Sequence, residues 1–300
     1  MISWTAHDLC CHRGHGGVTA VAVSGRHNTH NQDGYRSFMF LWVYDLPTWL
    51  LFTLIVVGSL VVAWSGVFAL RPVAARLFGD KDERNSMVEL VLTGTGLFYG
   101  LLLGLISAAT YTTFSDAQAA ADTEAGVVAA LYRDVSAYPE PIRGTMRAEL
   151  ETYVDYVINE AWPQQRLGIV PTDGIGKADA LLKTMASFEP ATPGQEAVHA
   201  EAFSQFNHFL EARRERLSAV TGGLPPALWW VLIAGAAINL VLIAMIDIDR
   251  VLGHLAVSGL FAVFVGMMIF LIAAMDNPFL GDYSVGPDAF EALRDQVLRR

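Results

Sequence analysis

The chain alternates between long apolar stretches and polar segments. The first apolar stretch, 46–70, contains no charged residue, and three more of similar length follow at about 88–111, 224–246 and 252–275. A helix needs about 20 apolar residues to cross the roughly 30 Å hydrocarbon core, so each stretch is long enough to span a membrane. A buried helix of a soluble protein is the alternative for any one stretch, but it explains four of this length poorly, so the pattern predicts four transmembrane helices.

The ends of the predicted spans carry signals that fit a membrane. Asp45 and Pro47 are placed to open the first span, and Arg71-Pro72 is predicted to end it, because the residue before proline avoids the helical region. Since an even number of crossings brings the start of the first and third spans and the end of the second and fourth to one side, the aromatic residues there predict a belt at one interface. These residues are Trp42, Tyr44, Trp49, Tyr111, Phe114, Trp229, Trp230, Phe279 and Tyr283.

The segment between the second and third spans, residues 114–223, is predicted to be a helical soluble domain on the side of both termini. Its alanine-rich start is expected to continue the second span without a break, and apolar residues recur at helical spacing further on. Two interpretations stay open: the helices pack against each other or a neighbouring subunit, or they form a small independent bundle. The predicted helices cover about 115–137, 142–158, 177–187 and 195–220, and a Gly- and Pro-rich loop covers 163–176.

The first 38 residues differ from the rest of the chain, being rich in His, Gly, Asn and Ser and lacking apolar periodicity. The run Cys10-Cys11-His12 with His15 resembles a metal-binding tract, but two adjacent cysteines do not easily ligate one ion, so we predict no metal and no disulfide there. The segment also lacks the long apolar region of a signal peptide. Because the character of the sequence changes abruptly at Met39, we interpret the segment as a disordered leader or a misassigned start.

These patterns divide the chain into five parts. The predicted organisation is a leader at 1–38, two transmembrane helices within 39–113, the soluble helical domain at 114–223, two further transmembrane helices within 224–275, and a C-terminal tail at 276–300.

Composition narrows the functional class. Charged residues make up only 17% of the chain, against about 25% in soluble domains, and the mean hydropathy is +0.37. The formal net charge of −10 argues against a nucleic-acid partner, since binding phosphates needs clustered Lys and Arg. The sequence has no phosphate-binding glycine loop, nucleophile elbow or HExxH motif, so we expect no enzymatic activity and no cofactor. No charged residue lies deep in a span, which argues against proton-coupled carriers.

The distribution of basic residues leaves the orientation unresolved. Four basic residues occupy the first short loop, which the positive-inside rule places in the cytoplasm. Six others precede the third span or follow the fourth, on the opposite side. We therefore predict an integral membrane protein without assigning the side of the soluble domain. The two groups are Arg71, Arg76, Lys81 and Arg84 on one side, and Arg213, Arg214, Arg216, Arg294, Arg299 and Arg300 on the other.

The second span carries the most informative pattern. Gly96, Gly100 and Gly104 lie four residues apart on one helix face, where small residues let two helix backbones approach closely in lipid. Ordinary helix packing is one explanation, and a pore lined by this helix is the other. Because glycines seal poorly, Leu103 is the predicted constriction of such a pore, which can gate by dewetting. The candidates for pore lining or helix packing are Thr93, Gly96, Gly100, Leu103, Gly104, Ser107, Thr110 and, in the third span, Asn239.

Two groups of titratable residues are candidate metal sites, and we predict that neither binds a metal. Asp247, Asp249 and His254 crowd the second short loop, where a solvated polar turn is the favoured alternative. His199 and His208 lie more than two helical turns apart, which is the wrong spacing for one ion.

Four runs from Met39 onward are distinctive: Phe98-Tyr99-Gly100-Leu101-Leu102-Leu103-Gly104, Leu131-Tyr132-Arg133-Asp134-Val135-Ser136, Gly223-Leu224-Pro225-Pro226, and Pro278-Phe279-Leu280-Gly281-Asp282 with Pro287 and Phe290. In these runs the chain resembles a bacterial family of unknown function described as bestrophin-like. The resemblance covers most of residues 39–291 and implies an all-α polytopic protein of the bacterial inner membrane, with four transmembrane helices and an inserted helical soluble domain. More distantly, it implies similarity to bestrophins, which are pentameric anion channels whose second span forms a hydrophobic neck.

The segment after the last span departs from the bestrophin pattern. Bestrophins carry Asn-Pro-Phe-Gly followed by acidic residues, which bind calcium in the animal members. Here Asn277-Pro278-Phe279 is present, but Leu280 precedes Gly281 and only Asp282 supplies a nearby carboxylate. A calcium site gathers six to eight oxygens, so the calcium site is not carried over to this chain.

The resemblance makes passive ion conduction the expected function, of anions in the first instance, through an oligomeric pore lined by the second span. The expected partners are the lipid bilayer, ions and further copies of the chain, five in all if the assembly follows bestrophins. The alternative is a non-conducting scaffold or signalling subunit whose soluble helices bind a partner. The soluble domain carries sixteen acidic and nine basic residues. This excess of negative charge repels anions and leaves cation or weakly selective conduction open.

Overall fold

The computed structural model describes residue 44 and residues 46–78 and 81–298. The interpretation of residues 1–38 lies outside these ranges. The predictions for Cys10, Cys11, His12, His15, Met39, Trp42, Asp45, Arg299 and Arg300 also lie outside the described residues.

The described part of the chain is helical and contains no strand, which confirms the all-α prediction. At the start of the helix Pro193–Ala219 the sequence supplies a cap: Thr192 Oγ1 accepts a hydrogen bond from the Gln195 N–H at 3.3 Å, and Pro193 occupies the first turn. The helices are α1 (Thr48–Phe78), α2 (Lys81–Val135), α3 (Ile142–Tyr156), α4 (Trp162–Gln165), α5 (Gly174–Ala186), α6 (Pro193–Ala219), α7 (Pro226–Met245), α8 (Val251–Met275) and α9 (Asp288–Leu293), with π-helical turns at Val157–Ala161 and Arg294–Leu298.

Among the described residues, four helices are long and apolar enough to cross a membrane: α1, α2, α7 and α8. The third and fourth spans agree with their predicted bounds to within two residues. The first span is longer than predicted, because α1 continues through Pro72 to Phe78. Tertiary contacts outweigh the proline here: Ala74 is buried, and Arg71 binds Asp247 in the opposite loop.

Helix α2 joins the membrane to the soluble domain without a break, as the alanine-rich sequence predicts. Its 55 residues give a rod about 80 Å long at 1.5 Å per residue. In its second half the side chains turned inward are small, including Ala117, Ala121 and Ala125, and this face packs closely on α6. The soluble core is therefore built on the extension of a membrane helix.

The segment after the last span belongs to this soluble core and is not a free tail. Phe279 and Phe290 are fully buried, each with its ring centroid 5.8 Å from that of Trp162. The Trp162 indole N–H also donates a hydrogen bond to the Val285 carbonyl at 3.1 Å. Residues after α8 thus fold back and cover α4, which places them beside the soluble ends of the spans.

Glycines set the closest approaches between the spans. A Cβ on Gly266 of α8 would lie 2.9 Å from Ser59 Oγ and 3.3 Å from the Val56 Cα of α1. A Cβ on Gly235 of α7 would lie 2.5 Å from the ring of Tyr99 on α2, whose hydroxyl donates to the Leu232 carbonyl at 3.1 Å. Small residues at these points allow contact distances that any larger side chain would prevent.

We expect Gly235→Ala to destabilise the membrane bundle by about 1–3 kcal/mol, because the added methyl group overlaps the Tyr99 ring in a packed interface. Gly58→Ala is the matched control, since Gly58 lies in another span and has no atom within 4 Å of the added Cβ. Both variants are compared by unfolding in a denaturing-detergent titration followed by tryptophan fluorescence. An equal loss in the two variants would contradict the Tyr99–Gly235 contact.

Candidate functional site

The membrane half of α2 has one face packed inside the subunit and one face that no described residue covers. Tyr99, Leu103 and Ile106 lie on the packed face, in contact with α7 and α8. On the uncovered face, leucines recur every four residues. We call Leu97, Leu101 and Leu105, which are 72%, 72% and 69% exposed, the leucine ridge.

The glycines of α2 divide between the two faces. Gly100 and Gly104 are exposed, a Cβ added to either would have no atom within 4 Å, and Thr93 is also exposed. Gly96 is half-buried, and a Cβ there would lie 3.6 Å from Asn239 Oδ1. Since four residues turn an α-helix by about 400°, a stripe of this spacing drifts by about 40° per step and leaves the packed face.

Leu103 does not occupy the position predicted for a constriction. Its side chain is 2% exposed and packs inside the subunit, so it cannot reach the uncovered face. Thr110 is likewise buried, and its hydroxyl donates to the Ile106 carbonyl at 3.0 Å. Ser107 is half-buried at the border between the two faces. Sequence reasoning did not single out Leu97, Leu101 and Leu105, although their spacing of four residues is visible in the sequence.

Asn239 lies inside the subunit, between α7 and α2. Its amide donates to the Gly235 carbonyl at 2.9 Å, and its Oδ1 accepts a hydrogen bond from Thr95 Oγ1 at 3.4 Å. The side chain is 1% exposed, so it links two helices and does not line the uncovered face.

At the soluble-domain end, Asp276 and Asn277 join the ends of three spans. Asp276, at the end of α8, accepts hydrogen bonds from the Leu224 N–H at 2.5 Å and the Trp229 indole N–H at 3.2 Å, both at the start of α7. Asn277 donates to the Tyr44 hydroxyl at 2.8 Å, next to the start of α1. Burial raises the pKa of Asp276, and the two hydrogen bonds from α7 oppose that rise.

Gly281 and Asp282, which complete the motif after the last span, contact the start of α1. Asp282 Oδ2 accepts a hydrogen bond from the Thr48 N–H at 3.3 Å, at the first residue of α1. Gly281 has φ +80° and a Cβ there would lie 3.5 Å from the Tyr44 ring, so this turn fits glycine. The nearby carboxylate thus caps a helix N-terminus, where negative charge is stabilising. No group of His, Cys, Asp and Glu with metal-site geometry occurs among the described residues.

At the other end of the spans, the two short loops are joined by ion pairs. Asp247 accepts hydrogen bonds from Arg71 Nη2 at 2.8 Å and Arg84 Nη2 at 2.6 Å, and Asn85 exchanges two hydrogen bonds with its backbone. Lys81 forms an exposed pair with Asp249. The prediction of a solvated polar turn is therefore wrong for Asp247. The sequence did not show that Arg71 and Arg84 of the first loop lie close enough to bind it.

His254, which was grouped with Asp247 and Asp249 as a candidate metal site, takes no part in the ion pairs. His254 is fully buried, and its Nε2 lies 3.0 Å from the Ile243 carbonyl. Partial burial opposes ionisation of Asp247, but the hydrogen bonds from Arg71 and Arg84 outweigh it and lower the pKa of the carboxyl.

A buried ion pair holds the soluble core together. Glu124 on α2 and Arg216 on α6 are 0% and 1% exposed, with 2.5 Å between Glu124 Oε2 and Arg216 Nε. The Tyr153 hydroxyl donates to the same carboxylate, and the Arg216 guanidinium lies 5.3 Å from the Trp162 ring centroid. Burial and then the Glu124 charge raise the pKa of Tyr153 well above its usual value, which keeps the hydroxyl protonated as a donor.

Sequence reasoning placed Arg216 among the basic residues flanking a span and did not single out Glu124. A signal for Glu124 was present: it continues the inward series of Ala117 and Ala121 at helical spacing, which is followed by Val128. Its partner lies 92 residues away, and no local pattern indicates that distance.

These features define the class of the protein as a helical polytopic membrane protein, with four candidate spans and a helical domain inserted between the second and third. The sequence model of the Bestrophin-like domain matches residues 57–290. Because that match covers more than half of the chain, the chain belongs to the bestrophin-like family.

Two crystal structures share the fold. One is a mutated form of a bacterial bestrophin homologue from Klebsiella pneumoniae, 12% identical, with a TM-score of 0.61 over 81% of this chain and 98% of that chain. The other is described as a membrane protein and is 11% identical, with a TM-score of 0.61 over 81% of this chain and 97% of that chain. No curated protein sequence matches this chain. At these identities the likeness establishes the fold alone.

We expect Glu124→Gln to destabilise the soluble core by about 3–5 kcal/mol, because it leaves the Arg216 charge buried without a counter-charge. The double variant Glu124→Leu with Arg216→Met is expected to recover most of this loss, since it removes both buried charges. Unfolding of the detergent-solubilised protein in urea measures the difference. Glu140→Ala is the control, because its pair with Arg143 is exposed. It also removes a hydrogen bond from the Gly144 N–H at 3.2 Å, so a small loss is expected, well below that of Glu124→Gln. A double variant as unstable as the single one would contradict the assignment.

We expect Asp247→Asn to lower the midpoint of thermal unfolding at neutral pH and to lose that difference from the wild type in acid. Because the folded-state pKa of Asp247 is lowered, its contribution is present above the ordinary carboxyl pKa of about 4 and is lost as the pH decreases through the lowered value. Thermal unfolding is measured from about pH 7 to about pH 3. Asp249→Asn is the control, since its side chain is 90% exposed. A wild-type to variant difference that does not change with pH would contradict the ion pair.

Proposed function

We propose that the chain assembles as a homo-oligomer that conducts ions passively, anions in the first instance, through a pore lined by α2. The observation that carries the proposal is the uncovered face of α2, where Leu97, Leu101 and Leu105 are each about 70% exposed on a helix long and apolar enough to cross the membrane. Membership of the bestrophin-like family supports it, since the distant resemblance to bestrophins implies a pore neck formed by the second span.

In the proposed assembly one side of the uncovered face of α2 packs against a neighbouring subunit, and the other side lines the pore. The side with the small residues Thr93, Gly100 and Gly104 packs on the α2 helix of the neighbouring copy, because a Cβ at either glycine would have no described atom within 4 Å. The leucine ridge faces the axis and replaces Leu103 as the constriction. A ring of leucines admits ions only when wetted, so hydrophobic gating is the expected mode of control.

Selectivity is the finer part of the proposal. The soluble domain at 114–223 carries sixteen acidic and nine basic residues, which gives the pore mouth a negative potential. The same charge weakens anion entry and favours cations. Anion conduction is what the family resemblance supports, and the acidic domain limits its selectivity. We therefore propose modest anion selectivity, which a measurement of the reversal potential tests.

A non-conducting scaffold or signalling subunit is the second candidate. The observation that favours it is that α2 has no charged residue between Glu89 and Asp116, so over this length its uncovered face offers no ionised group. Such a face can serve as a contact between subunits or with lipid, while the soluble helices bind a partner.

We expect the purified chain in planar bilayers to give single-channel currents whose reversal potential follows a chloride gradient and shifts when gluconate replaces chloride. Leu101→Ser is expected to raise the unitary conductance several-fold, because a hydroxyl ring is more easily wetted than a leucine ring. Leu260→Ser, at a 75% exposed position of α8, is the matched control and is expected to leave the conductance unchanged.

Two results would overturn the channel proposal. Absence of current across ions, voltages and pH from a protein that is oligomeric in the same vesicles would favour the scaffold. A mass in detergent corresponding to a monomer or dimer would rule out a central pore. A reversal potential that follows the cation gradient would retain the pore and reject its anion selectivity.

A further inference from the structure

An apolar turn projects from the soluble domain just after α4. Leu167, Ile169 and Val170 are 67%, 42% and 39% exposed, so three large apolar side chains lie uncovered within four residues. Single exposed apolar residues are ordinary on a soluble surface, but a cluster of them marks a site of interaction.

The turn has a defined shape that presents these side chains outward. Gly168 has φ +68°, its N–H donates to the Gln165 carbonyl at 2.8 Å, and the Ile169 N–H donates to the Gln164 carbonyl at 3.0 Å. This is the Schellman arrangement at a helix C-terminus, in which the residue at the Ile169 position usually packs on the one at the Gln164 position. Because that partner is a glutamine here, Ile169 stays uncovered.

The contacts of the turn place it at the level of the membrane boundary. A Cβ on Gly168 would lie 3.7 Å from Leu280 Cδ2. Leu280 lines a small cavity together with Leu51, in the first turn of α1, and Ala274, in the last turn of α8. Gly168 therefore lies beside a residue that lines this cavity together with the ends of two spans, which puts the turn near the level where the hydrocarbon core meets the headgroups.

The charge and the neighbours of the turn fit a lipid surface. Arg166 directly precedes the apolar residues and is exposed, and its side chain forms no hydrogen bond or ion pair with any described residue. A long basic side chain at this depth can reach lipid phosphates while its methylene groups stay in apolar surroundings. Aromatic side chains typical of an interface are exposed on the same side, Trp49 at 68%, Trp230 at 66% and Tyr283 at 50%.

We propose that the turn 166–170 inserts into the headgroup region of the bilayer and anchors the soluble domain to the membrane surface. Leu167 and Ile169 enter the boundary with the acyl chains, and Arg166 binds the phosphate groups of anionic lipids. This anchor lies in the soluble domain, outside the four spans, and is independent of conduction.

The test uses spin labels on the full chain in vesicles of phosphatidylcholine with phosphatidylglycerol. Leu167→Cys and Ile169→Cys are made separately in a background with Cys10→Ser and Cys11→Ser, and relaxation by oxygen is compared with relaxation by a water-soluble nickel chelate. Because oxygen concentrates in lipid and the chelate in water, both labels are expected to respond strongly to oxygen and weakly to the chelate. Leu260→Cys, on the exposed face of α8, supplies the lipid reference, and Glu189→Cys, exposed in the soluble domain, supplies the water reference.

Each alternative position of the turn gives its own result. A strong response to the chelate places the turn in water and overturns the proposal. Weak responses to both reagents place it against another protein surface, such as a second copy of the chain, and also overturn it. Arg166→Gln is expected to raise the chelate response of the Leu167→Cys label in vesicles with phosphatidylglycerol, and to leave it unchanged in pure phosphatidylcholine. An equal effect in both lipids would reject the role of Arg166 in binding anionic headgroups.

Discussion

The absence of water in the bilayer core is the constraint on which the rest of the structure depends, because every backbone N–H and C=O there must be bonded within the protein. Four apolar helical spans meet it, and most of their polar side chains follow the same rule, although Ser107 Oγ has no partner among the described residues. Thr53, Ser59 and Thr93 each donate to the carbonyl four residues earlier on their own helix, and Asn239 bonds to Gly235 and Thr95. Polarity inside the spans is therefore used for packing, and ionised groups are confined to the ends.

Carboxylates organise both ends of the bundle, in different ways. At the short loops Asp247 is paired with two arginines, so its negative charge is balanced. At the soluble-domain end Asp276 is buried and held by three neutral N–H donors, from Leu224, Trp229 and Asn277. A buried carboxylate without a counter-charge is costly, which is why its pKa rises while that of Asp247 decreases. The spans are thus joined by ion pairs at one end, and by hydrogen bonds from uncharged donors at the other.

Much of the fold followed from local pattern, and most of what did not depends on contacts distant in sequence. Apolar length predicted all four spans, and alanine content predicted the unbroken α2, because both properties act over neighbouring residues. The continuation of α1 through Pro72, the pairing of Glu124 with Arg216, and the burial of Leu103 depend on other helices packing nearby. For the candidate site, the sequence pointed to α2 but could not assign the faces of this helix, since a glycine spacing of four fits both a packed and an open side.

Helix α2 must satisfy two environments with one rotational register. Its soluble half fixes that register, because Glu124 reaches Arg216 only when its face of the helix is turned toward α6. Over the 23 residues from Leu101 to Glu124 a regular helix turns through about 6.4 revolutions, so the two side chains point to largely opposite sides. The pair that buries Glu124 therefore also keeps Leu101 and the rest of the leucine ridge on the side away from the subunit core. A change in the soluble core that rotated α2 would rotate the ridge with it, and this makes the inserted domain and the membrane face parts of one element.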